Sequence, residues 1–139
     1  MTDKKRYLGV DFGEARTGIA VSDGFFAHGV ETIHSVGMKK TAERVAAAAK
    51  KYGADLIVLG CPYNMDGSVG ERAKKTMVLA DMLRGMTGLD VVLYDERLTT
   101  VEAYEILDAS GTPKKRRRSV VDTLAAEIIL QGYIDGIKK

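Results

Sequence analysis

Three acids stand in widely separated segments but at comparable places within them: Asp11, Glu96 and Asp122. Asp11 ends one apolar run, and Glu96 follows another within Asp95-Glu96-Arg97. Asp122 is in line with Ala126, Ile129 and Tyr133 at helical spacing, at the head of a stripe that would face a sheet. Three acids could therefore converge at one sheet edge. Carboxylates held close together repel, so a dry cluster calls for a proton or a cation. Mg²⁺ is hard and takes oxygen ligands, typically one or two carboxylates with water and substrate phosphate. Two such ions ~3.5–4 Å apart can activate a water and stabilise the leaving oxygen in phosphodiester cleavage. A plainer role stands beside each acid. Asp11 could satisfy turn amides, Glu96 could pair with Arg97, and Asp122 could be the reciprocal acid after a Ser119 cap.

A five-residue basic run, Lys114-Lys115-Arg116-Arg117-Arg118, lies just before Asp122. Held beside the acids, it could fix phosphates on either side of a scissile bond. Such contacts read little sequence, so selectivity would come from nucleic-acid shape. The alternative is a solvated loop. No aromatic lies in the run, and the chain has no Trp, so base stacking from it is not expected. The charge balance points the same way: residues 113–139 carry seven Lys/Arg against three acids, a net of +4 in a chain of net +2. Asp11-Phe12-Gly13 through Gly18 also resembles the phosphate-binding hairpin of actin-like ATPases and sugar kinases. Those enzymes enclose a nucleotide between two lobes, and 139 residues supply one. His28 and His34 have no acid or second His at metal spacing, and Cys61 follows an apolar strand with no nearby His. All three are read as structural.

These residues need a scaffold, and the sequence outlines one. Residues 6–11, 16–23 and 28–34 read as three strands joined by short turns, the first turn passing through Gly13. Helix and strand then alternate. Residues 38–52 form an alanine-rich helix closed by Gly53, and 55–60 a strand apolar enough to be covered on both faces. Ser68 with Glu71 predicts a capping box for a helix to about 84, and 89–94 is another strand. Thr99 with Glu102 predicts a second capped helix to about 109, a break at Gly111 to Pro113 follows, and 119–134 is the last helix. The order predicts a mixed α/β sheet with helices on its faces. Ligands of such sheets bind outside the carboxyl ends of parallel strands. Length and composition (45% hydrophobic, 29% charged) fit one domain over residues 1–139. No apolar run approaches the ~18 residues of a membrane span, the polar N-terminus offers no secretory h-region, and one cysteine builds no disulfide. A reducing cytoplasm is the expected location.

Four blocks together resemble the YqgF family, also called RuvX, across nearly the whole chain. They are Gly9-Val10-Asp11-Phe12-Gly13 with Arg16-Thr17-Gly18 and Ser22-Asp23; Gly60-Cys61-Pro62 with Asn64-Met65-Asp66-Gly67-Ser68; Asp95-Glu96-Arg97-Leu98-Thr99-Thr100; and Asp122-Thr123-Leu124-Ala125-Ala126 with Ile129-Leu130-Gln131. The resemblance implies an RNase H-like fold with a sheet of about five strands, the first three antiparallel, and helices on both faces. It implies a nuclease that trims the 5′ end of precursor 16S ribosomal RNA, or a Holliday-junction resolvase. A non-catalytic RNA-binding ribosome-maturation factor is the third reading. The family's acids fall on Asp11, Glu96 and Asp122, with Mg²⁺ or Mn²⁺ as the implied cofactor and Asp95 as a neighbouring family position. Arg16, Arg97 and Thr99 also match family positions, and we read them as positioning phosphates or the strand. The implied partners are structured RNA or branched DNA and ribosomal particles, bound by a monomer or homodimer, with no membrane. Two departures stand out. Cys61 replaces an expected larger apolar residue, and Ala125 stands where related resolvases carry a fourth ligand.

Overall fold

A computed structural model describes residues 5–34, 37–96 and 117–137, with side chains from residue 123 onward in the last segment. The predicted helix after Thr99, the break at Gly111 to Pro113, and Arg97, Lys114, Lys115 and Arg116 lie outside these residues, as do the side chains of Arg117, Arg118 and Asp122.

The described strands form one five-stranded sheet. β1 (Tyr7–Phe12) runs antiparallel to β2 (Arg16–Ser22), which runs antiparallel to β3 (Ala27–His34). β4 (Leu56–Cys61) pairs parallel with β1, and β5 (Asp90–Asp95) pairs parallel with β4. The spatial order is β3-β2-β1-β4-β5. The parallel half is reached through α1 (Met38–Lys51) and α2 (Glu71–Thr87), and α3 (Arg117–Ile137) closes the described chain. Each predicted strand and helix within the described residues is present, with ends displaced by at most three residues.

Alternation along the strands creates two cores. Leu8, Val10, Ile57, Leu59 and Val91 face Ala42, Val45 and Ala49 of α1 and Leu79 and Leu83 of α2. On the other face, Ala20 and Val58 lie under Ala126, Ile129, Leu130 and Ile134 of α3. Ile57, Val58 and Leu59 are all fully buried, because helices cover β4 on both sides. Gly9 lets α3 approach β1: a Cβ there would stand 2.7 Å from Leu130 Cβ and 3.0 Å from the Ala126 carbonyl. No described helix is long and apolar enough to cross a membrane.

Two helix starts differ from the sequence reading. The residue before α2 is Gly70, and no side chain caps the helix. Ser68 is engaged within its own loop instead. Its amide and hydroxyl both donate to Asp66 Oδ1, at 2.9 and 2.6 Å, and Asn64 Nδ2 donates to its Oγ. An aspartate two residues away captures the serine locally, so the chain makes a turn before it begins the helix. α3 is already helical at Arg117, which places Ser119 inside the helix and removes its predicted capping role.

Candidate active site

The strand period decides which acids can meet. On β1, Gly9 lies under α3, so Asp11, two residues on, faces the same side at the carboxyl end of the strand. On β5, Tyr94 belongs to the α3-side core, and Glu96 follows it at the same parity just past the strand. β4 runs between them. The Val10–Leu59 pairing puts Gly60 next in line to Asp11, and Gly60 pairs with Tyr94. Gly60 has no side chain to occupy the gap: a Cβ there would meet Glu96 Oε2 at 2.6 Å. The Glu96 amide donates to the Cys61 carbonyl at 3.2 Å, which fixes the residue over the end of β4.

Asp11 and Glu96 are hydrogen-bonded through their side chains. Burial first, then the negative charge of Asp11 and the hydrogen bond between them, push the Glu96 carboxyl from 4.5 up to about 9. Asp95 pushes the same way, and the charge of Arg72 opposes it. The pair therefore keeps one proton at neutral pH where two free carboxyls would keep none. Two like groups are forced together, the condition a bound cation relieves, and oxygen is the donor type that Mg²⁺ and Mn²⁺ accept.

α3 runs down the same face toward this pair. The Tyr133 ring packs edge-on against Tyr7 at 5.8 Å, and Ala126 and Leu130 lie over Gly9. The next turn of the helix holds Asp122 and continues in the direction from Gly9 toward Asp11. Among the described residues there is no group of three potential metal ligands, and Asp11 and Glu96 bring two carboxyls together.

The remaining candidates sort by position. Arg16 opens β2 beside the end of β1, where Phe12 pairs with Thr17. Cys61 is buried, and burial raises its thiol above the ordinary value, as do the charges of Glu96 and Asp95. That suits a packed side chain and not a nucleophile. The His34 carbonyl accepts a hydrogen bond from Arg44 at 2.8 Å, and the residue lies on the edge strand β3, two strands away from β1. Sequence reasoning missed Arg72. α2 starts soon after the carboxyl end of β4, which is the signal that its first turn must lie beside the acids.

A mixed sheet in this order, helices on both faces and a carboxylate pair at the carboxyl ends of the parallel strands define an α/β protein of the RNase H-like class. Solved structures share the fold. RuvC of T. thermophilus in complex with a Holliday junction substrate superposes with a TM-score of 0.63 at 12% identity, covering 95% of this chain and 96% of that one. The Fowlpox virus resolvase with Holliday junction DNA gives 0.59 at 12% identity, over 96% and 99%. Closer relatives appear by sequence. Proteins named "Putative pre-16S rRNA nuclease" are 38% identical in Clostridium novyi, over 95% of this chain and 99% of that protein, and 42% identical in Clostridioides difficile, over 94% of each. The RuvX family, described as "Holliday junction resolvase", matches residues 5–136. The chain belongs to the RuvX family.

Proposed function

We propose that this chain is a divalent-metal-dependent endonuclease that processes the 5′ end of precursor 16S ribosomal RNA during ribosome biogenesis in the cytoplasm, with residues 1–139 acting as a single domain. The observation that carries the reading is the contact between Asp11 and Glu96, which forces two carboxyls together where a cation would fit. A protein that only bound RNA would gain nothing from a strained acid pair. Asp11, Glu96 and Asp122 hold the cation, Mg²⁺ or Mn²⁺. When bound, the cation supplies the positive charge that acidifies an attacking water and stabilises the leaving oxygen. To hold a cation, Glu96 would have to release its proton to solvent, so binding would be proton-coupled. Arg16, Arg97 and the run Lys114, Lys115, Arg116, Arg117 and Arg118 hold the phosphate backbone around the scissile bond. Asp95 adds negative charge beside Glu96 and strengthens the demand for a cation.

A second reading, cleavage of four-way DNA junctions, is favoured by the family's description and by the fold shared with junction resolvases. A two-fold junction needs two active sites and hence a homodimer. The test is to offer a labelled precursor 16S fragment and a four-way DNA junction side by side with Mg²⁺, Mn²⁺ or EDTA. Metal-dependent cutting of the RNA supports the first reading. Cutting of the junction alone replaces it with the second, and metal-independent binding without cutting refutes both.

A further inference from the structure

Two cations near the end of β1 remain unassigned. Arg72 and Lys75 stand one turn apart on α2, both exposed, and line a small cleft with Phe12, Glu14 and Thr76 at the end of β1. Chain geometry puts them there: α2 begins beyond the carboxyl end of β4, next to that of β1, and the charge of Arg72 reaches Glu96. Glu14 faces them from the tight turn between β1 and β2, three residues after Asp11. Lys75 Nζ donates to Glu14 Oε1 at 2.9 Å, and Arg72 acts on Glu14 as well. The ion pair is open to water, with Lys75 50% and Glu14 70% exposed. Such a pair is weakly held and screened by salt, so an incoming phosphate can replace its carboxylate.

We propose that Arg72 and Lys75 form a phosphate-holding site for the nucleic-acid strand beside the acid pair, with Glu14 as its displaceable counter-ion. The proposal takes its ligand, structured RNA, from the nuclease reading. The Arg72 guanidinium offers paired parallel donors to one phosphate, and Lys75 offers a point charge to the same or the next one. In the free protein Glu14 holds Lys75 in place, and substrate exchanges one anion for another. The cations then position the strand without touching the reacting atoms.

The test measures binding of a fluorescein-labelled precursor 16S fragment by anisotropy in EDTA across a KCl series, with Mn²⁺ cleavage kinetics run in parallel. Arg72→Gln and Lys75→Gln should each weaken binding roughly five- to tenfold. Each should also flatten the log–log salt slope by about 0.7–0.9, the value for one lost phosphate contact. Lys75→Gln should raise KM and leave kcat nearly unchanged, and Lys75→Arg should restore binding. Glu14→Gln should tighten binding about two- to fivefold, with the gain lost in the Glu14→Gln/Lys75→Gln double variant. All the side chains changed are exposed, and thermal melts check that each variant folds. Affinity within twofold of wild type with an unchanged slope, or no RNA binding by wild type, overturns the site. An unchanged or weaker affinity in Glu14→Gln overturns the counter-ion role. If the substitutions flatten the slope while wild type cuts nothing, the phosphate site stands and the nuclease reading fails. Cutting that neither substitution affects is the converse.

Discussion

Replacing Glu96 with Gln should make the metal-free protein more stable, by an amount that grows with pH. In the folded protein the carboxyl is pushed from 4.5 up to about 9 by burial and by the charge of Asp11. Between those two values the folded state keeps a proton that the unfolded chain has released. Stability therefore falls as pH rises through this window, at up to ~1.4 kcal/mol per pH unit. At pH 7 the full penalty would be about 3 kcal/mol. Glu96 is partly open to solvent and titrates together with Asp11, so a loss of roughly 1–3 kcal/mol is the working range. Glutamine is close in shape, cannot ionise, and can still donate a hydrogen bond to Asp11. In a chain of this length each kcal/mol moves Tm by roughly 3–4 °C, so Glu96→Gln should melt roughly 3–12 °C higher at pH 7. The gain should be near zero at pH 5 and largest above pH 8. Differential scanning fluorimetry of both proteins from pH 5 to 9 in EDTA measures it. A gain independent of pH, or a variant less stable than wild type at pH 8, would refute the reasoning. Adding Mn²⁺ at pH 8 should raise the wild-type Tm and leave that of Glu96→Gln largely unmoved.

Other substitutions probe how the site is held. Gly60→Ala should push Glu96 off its place, because the new Cβ would stand 2.6 Å from Oε2; cleavage should fall at least tenfold with a stability loss of roughly 1–3 kcal/mol, read from initial rates and urea melts. Leu130→Ala removes a fully buried side chain of α3 above Gly9 and should cost about 2–5 kcal/mol in urea unfolding, with a parallel loss of activity if the helix positions Asp122.

The sheet was legible because its strands carry their own signature. The apolar run ending at Gly60 could be read as doubly covered before any helix was placed, and Ile57, Val58 and Leu59 are indeed fully buried. Asp11 and Glu96 were legible for a related reason: each closes a run, and parallel strands bring their carboxyl ends together. The side on which they meet depends on parity, and that required the β1–β4–β5 register. The start of α2 was misread because Asp66, two residues from Ser68, offers the serine a closer partner than the helix does. Arg72 gives no local signal in the sequence because its acidic neighbour there, Glu71, reads as part of a helix start, and the acids it meets lie far away along the chain. Its neighbours, Phe12, Glu14 and Glu96, come from β1, its turn and the end of β5. The small residues at 9 and 60 gained their meaning only with α3 and Glu96 in place.

Cleavage of a precursor 16S fragment in Mn²⁺ by wild type and Asp11→Asn tests the central claim most directly. Asp11→Asn keeps the shape of the side chain but removes the charge that Glu96 faces and a cation would share. Cutting should fall by at least a hundredfold in the variant, while anisotropy shows RNA binding within a few-fold of wild type. A variant that cuts as fast as wild type would contradict the assignment of the acid pair as the metal-holding centre.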